Sequence, residues 1–386
     1  MKRIIHTGRM LFSLGLIFCT IFAGGGIYPG RLTVSACEFL SVEGPCRFSF
    51  PADHGSHPGF RTEWWYYTGN LESDDRKTYG FQLTFFRIQT RPTCKSDDWP
   101  ERPSAWRTNQ IYFAHAALTD VAARRHHQAQ AAARNALGMS GVSQERDRTT
   151  IFLKKWQAVI EPGQQLLAAQ APDFGFELQL SPLKPPVAHG RDGYSRKGSS
   201  PNRASCYYSF TRLATEGRIR IGDKAIPVRG LSWMDHEYST ALLEPGIVGW
   251  DWFSLQLSDQ TEVMMFLLRK ADGTRHPASS GTMVLSSGDT LPLGHDQFSI
   301  QVQDQWLSPA TGTRYPVRWN IRIPDFDLEL DVRSAVADQE MQTQATTGVV
   351  YWEGSVTAEG TKHDRPISAK GYVEMTGYGK KFDAPM

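Results

Sequence analysis

The sequence predicts an all-β protein with two antiparallel units in tandem, and three observations carry the prediction. Beyond residue 50, short runs rich in Val, Ile, Thr, Tyr, Phe and Trp alternate with turn-forming residues, the pattern of strands rather than helices. Many strands joined mostly by short turns build barrels or sandwiches. The chain has 386 residues, room for two domains of ordinary size. The string STALLEPGIVG interrupts the strands near 238–248, so the units are expected at 37–240 and 241–386.

Residues 1–36 read as a signal peptide. Lys2, Arg3 and Arg9 give a basic start, and Leu11 to Ala23 is an apolar run too short for a comfortable membrane span. Val34-Ser35-Ala36 then fits cleavage before Cys37. The same run resembles a lipobox, so a lipid anchor on Cys37 stands beside simple cleavage. Either places the mature chain in the periplasm or outside the cell.

Strands are expected at Thr62–Leu71, Tyr79–Thr90, Ile111–Asp120, Thr150–Ile160, Phe174–Leu180, Cys206–Leu213, Arg218–Ile221 and Ala225–His236. The second unit is expected to supply Trp250–Leu257, Glu262–Arg269, Phe298–Val302, Arg314–Ile323, Phe326–Val332 and Val349–Thr357. Two segments break the pattern. AARRHHQAQAAARNALG (122–138) is Ala-rich and is expected to form one short helix, with Arg124 to His127 as a solvated turn. Residues 184–205, rich in Gly, Ser and Pro, read as a long loop, and loops of that length are commonly functional or mobile.

Loss of 1–36 removes Lys2, Arg3, Arg9 and Arg31 and no acid, so Lys plus Arg falls from 42 to 38 against 40 acids. A nearly neutral chain without a basic stripe argues against nucleic acid as a partner. Cys37, Cys46, Cys94 and Cys206 form neither a CxxC nor a zinc spacing. An exported protein can oxidise a pair, with Cys37–Cys46 or Cys46–Cys94 as candidates. The glycines of HGRDGYSRKG (189–198) are not followed by GK[ST], and no GxSxG is present. Nucleotide binding and an α/β serine hydrolase are therefore unsupported, and no cofactor is expected.

Strand alternation sorts the candidates for chemistry. In Trp250–Leu257, Asp251 shares a face with Phe253, Leu255 and Leu257, while Trp250 and Trp252 take the other. A carboxylate among apolar side chains is costly unless bonded, paired or neutral, which makes Asp251 a candidate acid. In SWMDHEYS (232–239), Trp233, Asp235 and Glu237 share one face and Met234, His236 and Tyr238 the other. Neighbouring titratable groups can supply an acid and its orienting partner. In FPADHGSHPGFRTEWWYYTGNL (50–71), His54, His57 and Glu63 precede four aromatics; Glu63, Trp65 and Tyr67 oppose Trp64, Tyr66 and Thr68. The ligand types suit zinc, but the histidines sit in a loop and no HExxH helix supports a metal, so none is expected. Each cluster also has a plain structural reading: backbone hydrogen bonds for Asp251, a strand end tying two domains for 232–239, and core stacking with a Glu63 pairing to Arg61 or Arg87.

FPADHGSHPGFRTEWWYYTGNL, FAHAALTD, GYSRKG, CYYSFTRLATEGRI, VRGLSWMDHEYST, GWDWFSLQLSDQTEVMMFLLRKADG, YWEGSV and GYVEMTGY together resemble the AttH/CrtC family, also described as secreted-hydrolase-like or carotenoid 1,2-hydratase-like. The resemblance runs from about residue 48 to 380. It implies two tandem lipocalin-like β-barrels and a cavity for an apolar, isoprenoid- or lipid-like ligand. Within the family, enzymes hydrate acyclic carotenoids or guide polyene cyclisation, and exported members are often encoded beside ABC-transporter genes. The signal segment fits the exported branch. Two readings follow: a protein that hydrates or hydrolyses an apolar ligand, or a non-catalytic lipid-binding accessory of an envelope ABC transporter. For hydration, the expected acid, base and water-holding residues are Asp251, Asp235, His236, Glu237, His54 and Glu63. The expected substrate-binding residues are Trp64, Trp65, Tyr66, Trp233, Trp250, Trp252, His57 and Tyr194, because aromatic faces stabilise a cationic intermediate.

Overall fold

A computed structural model describes residues 37–94, 99–241, 243–380 and 382; the expected signal segment lies outside them. Residues 37–386 form one compact unit containing two antiparallel sheets. No α-helix occurs among the described residues.

The first sheet holds β1 (Thr62–Ser73), β2 (Thr78–Gln89), β3 (Gln110–Asp120), β4 (Arg125–Arg134), β5 (Ser140–Glu145), β6 (Arg148–Leu153), β7 (Trp156–Glu161), β8 (Gln164–Gln170), β9 (Phe174–Pro182), β10 (Val187–Ala188), β11 (Tyr194–Arg196), β12 (Ala204–Ile221) and β13 (Lys224–Ser239). Its order is β4-β3-β2-β1-β13-β12-β9-β8-β7-β6-β5, with β10 and β11 added on β12. The second sheet holds β14 (Ile247–Leu257), β15 (Glu262–Lys270), β16 (Ser280–Val284), β17 (Thr290–Leu293), β18 (Ser299–Leu307), β19 (Arg314–Ile323), β20 (Leu328–Ser334), β21 (Glu340–Thr343), β22 (Val349–Lys362) and β23 (Arg365–Met375). Its order is β17-β16-β15-β14-β23-β22-β20-β19-β18, with β21 on β22. Each sheet curls around its own core. The first encloses Trp65, Phe81, Leu118, Ile151 and Phe176; the second encloses Phe253, Val263, Trp319, Leu330 and Trp352. The two-barrel architecture expected from the sequence is thus present.

Three local expectations are corrected. The Ala-rich segment is strand β4, not a helix. Ala129, Ala131 and Ala133 pack on the first core, while Gln128 and Gln130 on the other face donate to the carbonyls of Glu340 and Gln342 at 2.9 and 2.8 Å. Period-2 contacts with both barrels override the helical preference of Ala. The expected strand Thr150–Ile160 is two strands, broken where Lys154 takes a left-handed φ of 56°. The cysteines pair as Cys37–Cys94 and Cys46–Cys206, so neither expected pair forms. The first bond engages the thiol that lipidation of Cys37 would require.

The barrels dock through the outer faces of β1, β12 and β13 against those of β14, β15, β22 and β23. Tyr66, Tyr207 and Trp233 share one cluster with Trp252, Phe266 and Tyr372. Gln256 donates to the carbonyls of Thr211 and Ser232 at 2.8 and 2.9 Å, and Asn70 to that of Gly371 at 3.0 Å. Behind them, fully buried Glu262 accepts from Arg212 and, at 2.8 Å, from Lys184. A carboxylate buried between two cations holds the barrels in one register, because separating it from either leaves a buried charge unpaired.

Candidate active site between the barrels

Strand alternation decides what faces this junction. On β1, Trp64 and Tyr66 point outward while Glu63, Trp65 and Tyr67 point into the first barrel; on β13, Asp235 and Glu237 point outward and Met234 and His236 inward. The antiparallel register sets Trp64 opposite Glu237 and Tyr66 opposite Asp235. The second barrel answers with Trp250 and Trp252 from β14, and with Glu353 on β22 directly opposite Glu374 on β23. Together they enclose a cavity of about 280 Å³, at the small end of the range for small-molecule sites. Its walls are aromatic, and four carboxylates enter it: Asp235 and Glu237 from one barrel, Glu353 and Glu374 from the other.

Burial governs their protonation. Asp235 is pushed up to about 7 by burial, against hydrogen bonds from Ser209, Trp233 and Tyr207 and with repulsion from Glu237 added. Glu374 is likewise raised to about 7 by burial, against a bond from Trp250 and with repulsion from Asp235 and Glu237. Glu353 is raised well above the carboxylate range by burial and by Glu374. Two carboxyls paired across adjacent strands in an apolar wall keep a proton at neutral pH that isolated acids would lose. On the cavity wall the Tyr66 hydroxyl and Glu353 Oε1 complete no hydrogen bond of good geometry among the described residues, although the two groups are near enough to perturb each other's protonation. Buried polar atoms left open in this way invite a polar group of a bound molecule or water. Lys197 closes one side, 3.1 Å from Glu237 and 4.0 Å above the Phe266 ring.

The expected site residues therefore fall into separate places. Asp235, Glu237, Trp64, Tyr66, Trp250 and Trp252 line the cavity, and Trp233 bonds Asp235 from behind. His54, His57, Glu63, Trp65 and His236 belong to a network inside the first barrel. Fully buried Glu63 accepts from Arg87 at 2.8 Å, from His57 Nδ1 at 2.7 Å and from His236 Nε2 at 2.9 Å. His57 also bonds Asp53 at 2.9 Å, and Tyr208 bridges His236 and His54 at 3.0 and 2.8 Å. His57, Glu63 and His236 bring potential ligand atoms within 4.8 Å of one another, but the Arg87 guanidinium already neutralises the carboxylate that a cation would need. Asp251 is buried as expected, yet it lies on the face away from the cavity, paired with Arg269 at 2.9 Å and Tyr378 at 3.0 Å. Tyr194 donates to the carbonyl of Pro201 in a separate cluster.

Glu353, Glu374 and Tyr207 were missed from the sequence. A signal existed: in YWEGSV and GYVEMTGY each acid shares a strand face with a tyrosine, Glu353 with Tyr351 and Glu374 with Tyr372.

The family model described as AttH-like matches residues 41–378. The chain belongs to the AttH-like family. A solved structure assigned to AttH, from Nitrosomonas europaea, is 33% identical with a TM-score of 0.78, covering 88% of this chain and 100% of that one. Kievitone hydratase from Nectria haematococca superposes with a TM-score of 0.63 at 14% identity, covering 89% and 96%, which is a likeness of fold. By sequence, the dehydratase asqC of Emericella nidulans is 23% identical over 211 residues, and the kievitone hydratase of Fusarium solani subsp. phaseoli 25% over 179 residues. These matches cover 53% and 44% of this chain and 58% and 48% of the relatives, so the chain spans about half the length of the curated relatives it matches. Both relatives carry the names of lyases that add or remove water.

Proposed function

We propose that this protein is a lyase of the hydratase–dehydratase type, acting on a largely apolar substrate in the cavity between the barrels. The observation that carries the reading is the placement of raised carboxyls on opposite aromatic walls, Glu353 and Glu374 on one and Asp235 on the other. In hydration, the proton held by the Glu353–Glu374 pair passes to an alkene carbon. The cationic carbon forms against the faces of Trp64, Trp250 and Trp252, which stabilise positive charge. Asp235 takes a proton from the water that adds to that carbon. Dehydration runs the same steps backward: protonated Asp235 gives its proton to the leaving hydroxyl, and the ionised Glu353–Glu374 pair removes the adjacent C–H proton. One acid and one base near pH 7 serve both directions. The Tyr66 hydroxyl on the cavity wall favours a substrate with an oxygen at that end. Hydrolysis is the weaker reading, since the curated relatives are named a dehydratase and a hydratase; its nucleophile would be the Ser205 hydroxyl, which donates to Glu237 in the same wall. Two disulfides and the leading segment support export to an oxidising compartment.

The test is oxygen exchange. The purified protein is incubated in H₂¹⁸O with a panel of isoprenoid and phenolic tertiary and allylic alcohols, and mass spectrometry reads the label. Label entering one alcohol class, lost in Glu353→Gln and Glu374→Gln, is expected. A panel member that binds but never exchanges would overturn the reading in favour of a lipid-binding accessory protein, the role an envelope transporter would use.

A further inference from the structure

Asp235 is held by hydrogen bonds that begin on the other barrel. Its Oδ2 accepts from Tyr207 at 2.8 Å, and Tyr207 accepts from Trp252 Nε1 of β14 at 3.1 Å. Its Oδ1 accepts from Trp233 at 2.5 Å and from the Ser209 hydroxyl. Ser209 lies 2.7 Å from His189 Nε2, and His189 Nδ1 lies 2.9 Å from the Thr282 hydroxyl of β16. The donors can be ordered. Ser209 has one hydrogen and gives it to Asp235, so His189 Nε2 must donate to Ser209. A neutral His189 then has a bare Nδ1, which accepts from Thr282. Neutrality follows from burial, which pushes the imidazole down to about 3, with Lys197 acting in the same direction. The ring packs against Tyr207 with centroids 4.3 Å apart, so the two chains brace each other. Neither His189, Ser209 nor Thr282 lines the cavity.

We propose that His189 is a positioning residue for Asp235, and that through Ser209 and Tyr207 the docking of the two barrels sets the charge on that carboxylate. Every donor in both chains points from the second barrel toward Asp235. With the barrels docked, three of its lone-pair positions are filled, and these bonds favour the anion against the opposing effect of burial. Each chain is complete only in the docked state, because Tyr207 needs Trp252 and His189 needs Thr282 from the second barrel. The proposal rests on the reading of Asp235 as the base only for its catalytic consequence. The other titratable groups facing Asp235 are Glu237 on its own strand, Tyr207 on β12, Tyr66 on β1 and Glu374 on β23.

The experiment is a carboxyl titration of the full-length protein labelled with ¹³C at the aspartate side-chain carboxyl, with Asp235→Asn assigning the resonance. Thr282→Val is isosteric and lies outside the cavity. It removes the donor that fixes the His189 tautomer, so the ring can instead accept the Ser209 hydrogen. The Asp235 midpoint is expected to rise by about one pH unit, the equivalent of one hydrogen bond to a charged group. His189→Leu removes the donor to Ser209 but offers no competing acceptor, so it should raise the midpoint less, and His189→Gln, which can still donate to Ser209, should restore it. Midpoints unchanged in both Thr282→Val and His189→Leu, with folded spectra, overturn the proposal. If Asp235→Asn keeps full oxygen exchange, the base assignment fails while the Thr282→Val shift still decides the coupling.

Discussion

Glu63→Gln separates the two clusters that the sequence left competing. The Glu63 side chain is fully buried, as is that of Arg87, and the carboxylate also accepts from the backbone N–H of His57 at 2.9 Å. Gln keeps the shape and removes the charge, leaving the Arg87 guanidinium and the His57 imidazolium without their shared counter-ion. Breaking a buried ion pair by removing one partner costs about 3–5 kcal/mol. The assay is guanidinium chloride unfolding at pH 6 followed by tryptophan fluorescence, for which Trp65, stacked on His236 at 4.7 Å, is a local reporter. The midpoint should fall by roughly 0.5–1 M, since guanidinium slopes are several kcal/mol per molar. Oxygen exchange by the folded variant should be unchanged, because Glu63 lies on the far side of β1 from the cavity. A loss under about 1 kcal/mol would refute the buried network. Exchange abolished with stability intact would move the active site into the first barrel.

His57 is held up at about 9 by Asp53 and Glu63 against the cost of burial, compared with 6.5 when free. A raised basic group stabilises fully below its unfolded value and loses that contribution as pH rises through the folded one. The advantage of wild type over His57→Gln, read as unfolding free energy, should therefore shrink by about 2–3 kcal/mol between pH 6 and 9.5. Glu374 has the same sign at lower pH: burial lifts its folded value to about 7 from the usual 4.5, so its ionisation lowers stability as pH rises between them. Glu374→Gln should then raise stability at pH 8, by on the order of 2 kcal/mol, while removing oxygen exchange; a destabilised variant would refute the raised acid. Reducing the Cys46–Cys206 disulfide, which closes a separation of 160 residues, should cost about 2–5 kcal/mol in thermal unfolding, and an unchanged melting profile would refute its structural role.

The fold class was legible because period-2 alternation survives in most strands, and it failed where composition misled. Ala129, Ala131 and Ala133 are helix formers by propensity, yet the glutamines between them are claimed by the backbone of β21, more than 200 residues away. The disulfides were illegible for the same reason: Cys46 meets Cys206 only because the segment before β1 runs beside β12.

The site was half legible, and the dividing line is physical. Alternation correctly placed Asp235 and His236 on opposite faces, and likewise Asp251 and Trp252. Residues on opposite faces of one strand cannot line the same cavity, so the candidate set already contained its own contradiction. Alternation does not say which face looks toward the partner barrel. That is decided by docking, which turned Asp235 and Trp252 toward the cavity and left His236 and Asp251 inside their own barrels. Glu353 and Glu374 lie one step further from the sequence. Nothing within either strand pairs them, and only the β22–β23 register sets them opposite each other. Their proton-holding property belongs to the pair and to the aromatic wall around it, so it first exists at the level of paired strands. The same holds for Asp235, whose hydrogen-bond donors are wired from the second barrel. A site of this kind is a property of the junction, and its chemistry is lost if the barrels part even when each remains folded.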